Sequence, residues 1–115
     1  MKRVTIVVPE GKATLSSITG SFEILNSANK YWQRMGNKPM MEICIAGFMT
    51  ESKLDAGYFS IHPVSIAEIK KTDLLIIPAI AYDDNLAKEN VALISWIREQ
   101  YKNGAESRSS GWLLN

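Results

Sequence analysis

The stretch Thr72-Asp73-Leu74-Leu75-Ile76-Ile77-Pro78-Ala79-Ile80 decides the fold. Four large aliphatic residues run together from Leu74 to Ile77 with no polar alternation, and Asp73 and Pro78 bracket them. A run this short and this uniformly apolar predicts a strand buried on both faces, as in a parallel sheet. Pro78 has no N–H to donate to a ladder, so pairing should stop there and the chain should leave as a loop. Ligands of open parallel sheets bind outside the carboxyl ends of the strands, which makes Ala79 to Asp83 the expected rim of a crevice.

Working outward, Arg3 to Val8 is β-branched and continuous, and predicts a second buried strand ended by Pro9. Glu10-Gly11-Lys12 then turns at the same sheet edge. Ile18, Phe22, Leu25, Ala28, Trp32 and Met35 recur at helical spacing and form one apolar stripe. Ser16 or Ser17 is placed to cap this helix, and Gly36 followed by Pro39 to stop it. Gly20 within it costs about 1 kcal/mol relative to Ala, which a close approach to the sheet would explain. Met41 to Phe48 predicts the next strand, parallel to the first through a right-handed crossover.

Thr50 to Ile61 reads as a small hairpin at the sheet edge, turning at Asp55-Ala56-Gly57. His62-Pro63 breaks it, and Ile66 to Lys70 supports a short helix before the strand at Leu74. A final helix begins between Asp84 and Asn90, with Leu93, Ile94, Ile97 and Tyr101 as its buried face, Trp96 on its flank and Gly104 as its stop. Ser107 to Gly111 has no strand character, and Trp112, Leu113 and Leu114 follow it. The expectation is a sheet that stops early, with residues 107–115 a native end, the scar of a lost segment or a gap. An orphaned edge at Leu74 to Ile77 or its neighbour would favour a homo-oligomer.

Composition narrows the function classes. With 115 residues there is room for one domain. Thirteen basic against twelve acidic residues give a net charge of +1, which argues against a nucleic-acid surface in this chain. No apolar run reaches bilayer-spanning length, and no signal-like apolar segment follows Lys2 and Arg3. One cysteine forms no internal disulfide, so a cytoplasmic setting is expected. One His and one Cys cannot make the usual structural zinc site, and Glu10-Gly11-Lys12 is no dinucleotide fingerprint. No cofactor or metal is therefore expected.

Cys44 lies between Ile43 and Ile45, where core packing is favoured over nucleophilic chemistry. His62, in a loop before Pro63, is favoured as a residue without a catalytic role. Glu10 is first a solvated turn residue and second a polar group for a small effector. Tyr82, Asp83 and Asp84 pose the same choice; Asp84 can cap the next helix, while Tyr82 can line a pocket. Met35, Met40 and Met41 are read as core filler rather than a docking surface. No nucleophile, base and orienting group can be assembled from this set, so no catalytic residue is expected.

The order of these pieces resembles the ThiJ/PfpI superfamily, of class I glutamine-amidotransferase-like fold, and most of all the amino-terminal domain of GlxA-type regulators of the AraC family. The resemblance is carried by Val4-Thr5-Ile6-Val7-Val8-Pro9, Ser21 to Asn29, Asp73 to Pro78, Ile94 to Tyr101, and Gly104-Ala105. It implies a three-layer α/β sandwich, flavodoxin-like in order and incomplete at its carboxyl end. It also implies a non-catalytic, effector-sensing or dimerising domain whose DNA contacts lie in a domain outside this sequence. The family's nucleophile elbow follows the Gly-Ala pair, whereas here Ser107 to Asn115 carries no cysteine. The other-class alternative is a truncated PfpI-like hydrolase or amidotransferase relative that has lost its Cys elbow. Under either, Glu10, Ala79, Ile80 and Tyr82 are the expected ligand-binding residues.

Overall fold

The structure, a computed structural model, describes residues 1–9, 14–49, 51–54, 57–78 and 90–109, with residues 107–109 described through their backbone alone. Its elements are β1 (Lys2–Val7), α1 (Leu15–Arg34), β2 (Met41–Gly47), β3 (Ser52–Leu54), β4 (Phe59–Ile61), β5 (Val64–Ser65), a 3-10 turn (Ile66–Glu68), β6 (Leu74–Ile77), α2 (Val91–Lys102) and β7 (Glu106–Ser109). Five strands form one sheet in the order β5-β2-β1-β6-β7. Every pairing in it is parallel. β3 and β4 make a separate antiparallel ribbon, the expected hairpin. No described helix is long and apolar enough to cross a membrane.

Alternation along the strands sends two sets of side chains to opposite faces. Ile6 and Val8 meet Ile18, Phe22 and Leu25 of α1, together with Ile43, Ile45 and Ile76. Val7, Ala46 and Leu75 meet Leu93, Trp96 and Ile97 of α2, with Ile66 and Ile69. Helices therefore cover both faces of the sheet, the three-layer α/β sandwich expected from the uninterrupted aliphatic runs. Gly36 and Gly104 follow the two helices at φ +90° and +97°, where L side chains are strained.

Several local expectations are corrected. The residue flanking the start of α1 is Thr14, not Ser16 or Ser17, because Leu15 already packs into the core and draws the helix back. Beyond its own helical turns, no described atom lies within 4 Å of where a Cβ on Gly20 would sit, so close approach to the sheet does not explain that glycine. The stripe of α1 lifts from the sheet at its end: Trp32 and Met35 are exposed, while Asn29 is buried. On α2, Tyr101 is 67% exposed and Gln100 is 2% exposed, the reverse of the apolar pattern. Two hydrogen bonds explain the exchange: Gln100 accepts from the Thr72 N–H at 3.1 Å and donates to the Lys70 carbonyl at 3.2 Å.

The largest correction concerns the carboxyl end. Glu106 to Ser109 is a strand, pairing residue by residue with Leu74 to Ile77. Ladder bonds use backbone groups, so polar composition does not forbid them once the entry is fixed. Here the entry is fixed twice. The Ala105 N–H bonds the Gln100 carbonyl at 3.0 Å, and the Glu106 N–H bonds the Asp73 carbonyl at 3.0 Å. β6 is consequently paired on both sides, so the expected orphan edge is not at Leu74 to Ile77; among the described residues it passes to the neighbouring strand β7.

A buried polar knot ties the amino ends of these strands together. Thr5 Oγ1 donates to Thr72 Oγ1 at 2.9 Å, and Thr72 Oγ1 lies 3.1 Å from the Arg3 carbonyl and 3.2 Å from the Leu74 carbonyl. Thr72→Val keeps the shape but leaves the buried Thr5 hydroxyl without its acceptor, and should cost about 1–3 kcal/mol in urea unfolding. Adding Thr5→Val should return part of that loss; strict additivity in the double-mutant cycle would contradict this pairing.

Beside the knot, the Arg3 N–H donates to the Asp73 carboxylate at 2.8 Å, and this bond holds its pKa below the ordinary 3.8. A depressed carboxylate gives stability that is present above 3.8 and lost as pH falls through the lower folded value. Asp73→Asn should therefore flatten the acid side of the stability curve below pH 3.8 and leave the slope near neutrality unchanged.

Candidate functional site

The order of the sheet fixes where a ligand crevice can form. α1 carries the chain from β1 to β2 on one side, and α2 carries it from β6 to β7 on the other. The direction of winding reverses between β1 and β6, the position at which open α/β sheets bind ligands. Both strands end on proline. The Val8 N–H makes the last bond on this side, 2.8 Å to the Ala46 carbonyl, before Pro9. Pro78 follows Ile77 and is fully buried. Val8, Pro9 and Pro78 are thus buried at these strand ends, and the prolines have no N–H to leave unpaired.

On the β2 side of β1 the packing is tight. A Cβ on Gly47 would stand 3.1 Å from the Val8 carbonyl oxygen and 3.5 Å from the Pro63 ring. Glycine there lets β2 close onto the end of β1. The four residues expected to bind a ligand, Glu10, Ala79, Ile80 and Tyr82, lie outside the described residues, as do Asp83 and Asp84. What is placed is the ground they stand on: residues 10 and 79 directly follow Pro9 and Pro78 on the two strands flanking the reversal.

Cys44 is away from this crevice. It pairs with Thr5 in the middle of the sheet, three residues before Gly47, roughly 10 Å below the carboxyl edge at strand rise. Its side chain packs against the α2-side core. Burial raises the thiol pKa, with Arg3 opposing and Glu42 adding to the rise. His62 is exposed and lies 3.8 Å from Glu51 across an ion-pair geometry. Cys44 and His62 line one groove of about 510 Å³ on the outer side of β2, with Arg3, Phe22, Glu42 and Glu68. Sharing a groove does not activate the thiol, because no base hydrogen-bonds it and burial favours its protonated form. Among the described residues no group of three His, Cys, Asp or Glu side chains could hold a metal ion.

The groove was not anticipated. Its residues come from β1, α1, β2, β5 and the 3-10 turn, and no spacing within any one segment announces it. The closest sequence signal was the polar residue Glu42 in a strand otherwise apolar to Ala46.

The fold has counterparts among solved structures. The chain is similar to a protein from Vibrio parahaemolyticus described as a transcriptional regulator, with 26% identity, 94% of this chain and 55% of that one covered, and a TM-score of 0.75. An AraC family transcriptional regulator from Pseudomonas putida matches over 99% of this chain and 60% of its own, at 16% identity and TM-score 0.72. Oxidized DJ-1 from Toxoplasma gondii shares the fold at 13% identity, 95% and 55% coverage, and TM-score 0.66. The chain spans little more than half the length of these proteins. No family profile and no curated protein matches the sequence. The resemblance to DJ-1/ThiJ/PfpI proteins and to AraC-family regulators is thus present in the fold.

Thiol reactivity checks the placement of Cys44. Maleimide should label it slowly in the native state near neutral pH and at the rate of a free thiol in denaturant. Cys44→Ala should cost about 1–2 kcal/mol through the small cavity it leaves.

Proposed function

We propose that this chain is the non-catalytic sensing and dimerising part of a transcriptional regulator, with a small-molecule effector held in the crevice between β1 and β6. The likeness to the Vibrio protein, whose TM-score of 0.75 covers 94% of this chain, carries the proposal. Glu10 supplies the polar contact, and Ala79, Ile80 and Tyr82 supply the wall from the other strand end. Contact with DNA belongs to a region outside this sequence, in keeping with a net charge of +1. The setting is cytoplasmic. The mid-sheet, proton-retaining thiol of Cys44 supports a sensing role over hydrolysis. The relatives with DJ-1 names keep the second reading, a hydrolase or amidotransferase relative, as the one to test against.

Dimerisation draws on the outer side of α1. Ile24 and Tyr31 are 72% and 66% exposed, and Met35 continues their line at helical spacing. An apolar line of this kind on a helix is relieved by association.

The chain should sediment as a dimer at micromolar concentration, and Ile24→Asp with Tyr31→Asp should make it a monomer without lowering its melting temperature by more than a few degrees. A panel of amino acids, purines and small carboxylates should contain a compound that raises the melting temperature. At a hundred times Kd the gain is about 2.7 kcal/mol, roughly 10 °C for a domain of this size. Glu10→Gln and Tyr82→Phe should shrink that shift. Turnover of an activated ester or a glycated thiol, abolished by Cys44→Ala, would overturn the sensing role and establish the hydrolase reading.

A further inference from the structure

The outer edge of β2 is closed at both ends and open in the middle. Lys2 N–H reaches the Met40 carbonyl at 3.3 Å and Val8 N–H the Ala46 carbonyl, so the even-numbered residues of β2 turn their backbone groups toward β1. In a parallel ladder the odd-numbered residues then turn theirs outward. Met41 is satisfied there by the buried Asn29 of α1, whose amide donates to the Met41 carbonyl at 2.7 Å and accepts from its N–H at 3.2 Å. At the other end β5 pairs with Ala46 and Gly47. Between these stops, Ile43 has no strand partner on its outer side among the described residues, and β5 pairing begins only beyond Ile45. The opening spans four residues, roughly 13 Å at strand rise, and the groove of about 510 Å³ runs along it.

Its two walls differ in kind. On the α1 side stand Phe22, Ile43 and Ile45, all apolar. On the α2 side stand Glu42, Cys44, Glu68 and Ile69. Arg3 neutralises Glu42 at 3.2 Å, whereas Glu68 has no ion-pair partner among the described residues. We propose that this notch docks a short extended segment of a partner protein in which an apolar side chain faces Phe22 and the next, basic, side chain faces Glu68. An added strand alternates its side chains between the faces just as β2 does, so one segment meets both walls at once.

A second copy of this chain fits less well. Each β2 edge is recessed between its own Asn29 and β5, so two such edges cannot both enter. Antiparallel pairing about Ile43 would also bring the incoming Glu42, already paired with its own Arg3, to the wall that carries Glu68, so that strand offers Glu68 no free cation. The proposal is separate from the effector crevice, which lies at the carboxyl ends of β1 and β6.

The test uses the isotope-labelled chain and two probe peptides, acetyl-Lys-Val-Lys-Val-Lys-amide and its Glu counterpart, at millimolar concentration. Backbone pairing should slow hydrogen exchange of the Ile43 and Ile45 amides at least tenfold with the Lys peptide and leave them unchanged with the Glu peptide. N-methylation of all three amides of the Val-Lys-Val centre should abolish the effect. Glu68→Lys, an exposed change that leaves the core intact, should weaken the Lys peptide at least tenfold and admit the Glu peptide. Equal binding of the two peptides, or shifts confined to Val8 and the crevice, would overturn the proposal. So would protection of Ile43 that rises with chain concentration alone, which would assign the notch to a second copy.

Discussion

A single buried hydroxyl holds the amino ends of the sheet in register. Thr72 Oγ1 is shared by the Thr5 hydroxyl and by the carbonyls of Arg3 and Leu74, and the Thr72 N–H is taken by Gln100. Those partners lie on β1, at the start of β6, and on α2. Asp73, next in sequence, binds the Arg3 N–H through its carboxylate and the Glu106 N–H through its carbonyl. β1, β6, β7 and α2 therefore meet over two consecutive residues. Apolar burial is stronger in sum, but it is non-directional and would tolerate a strand slipped by two residues. Unpaired hydroxyl and amide groups in a dry site would not, so the knot decides the register that the aliphatic strands leave open.

The contrast explains which parts of the fold could be read in the sequence. Leu74 to Ile77, Val4 to Val8 and the early stripe of α1 are side-chain patterns, and each forms the element its pattern predicts. β5 and β7 are two and four residues long, are paired through the backbone, and leave no side-chain pattern to find. Gln100 and Asn29 were hidden for the opposite reason. Each is a polar residue in a helix, which reads as solvent-facing until its long-range partners at Lys70, Thr72 and Met41 are known. Exposure of Tyr101 follows from the same substitution, because a helix turned to present Gln100 inward carries its neighbour out.

Of the candidate site, the ground was legible and the groove was not. Pro9 and Pro78 announced two strand ends, and the strand order puts those ends side by side at the reversal of winding. Two prolines there stop the ladder without leaving buried donors stranded, which suits a crevice that must be dry before it is occupied. Cys44 is half-buried, packed on the α2-side core and also lining the groove. A thiol flanked by isoleucines in a central register position is desolvated, and desolvation disfavours the thiolate that nucleophilic chemistry requires.

The edge of β2 shows a different economy of design. Open edges invite pairing with any extended chain, and proteins blunt them with charge, short strands or cover. Here cover is applied only at the ends. Asn29 offers Met41 the same donor and acceptor that a neighbouring strand would, from a side chain fixed on α1, and β5 does so with two residues of backbone. A mechanism that served only to prevent aggregation would have reached Ile43, since α1 runs alongside and its Phe22 lines the same groove. Instead the middle of the edge stays free while both flanks are fixed, so any strand that joins must be short, must enter in one register, and must match an apolar wall on one side and Glu68 on the other. Selectivity of that kind comes from the boundaries of the opening more than from the few hydrogen bonds within it.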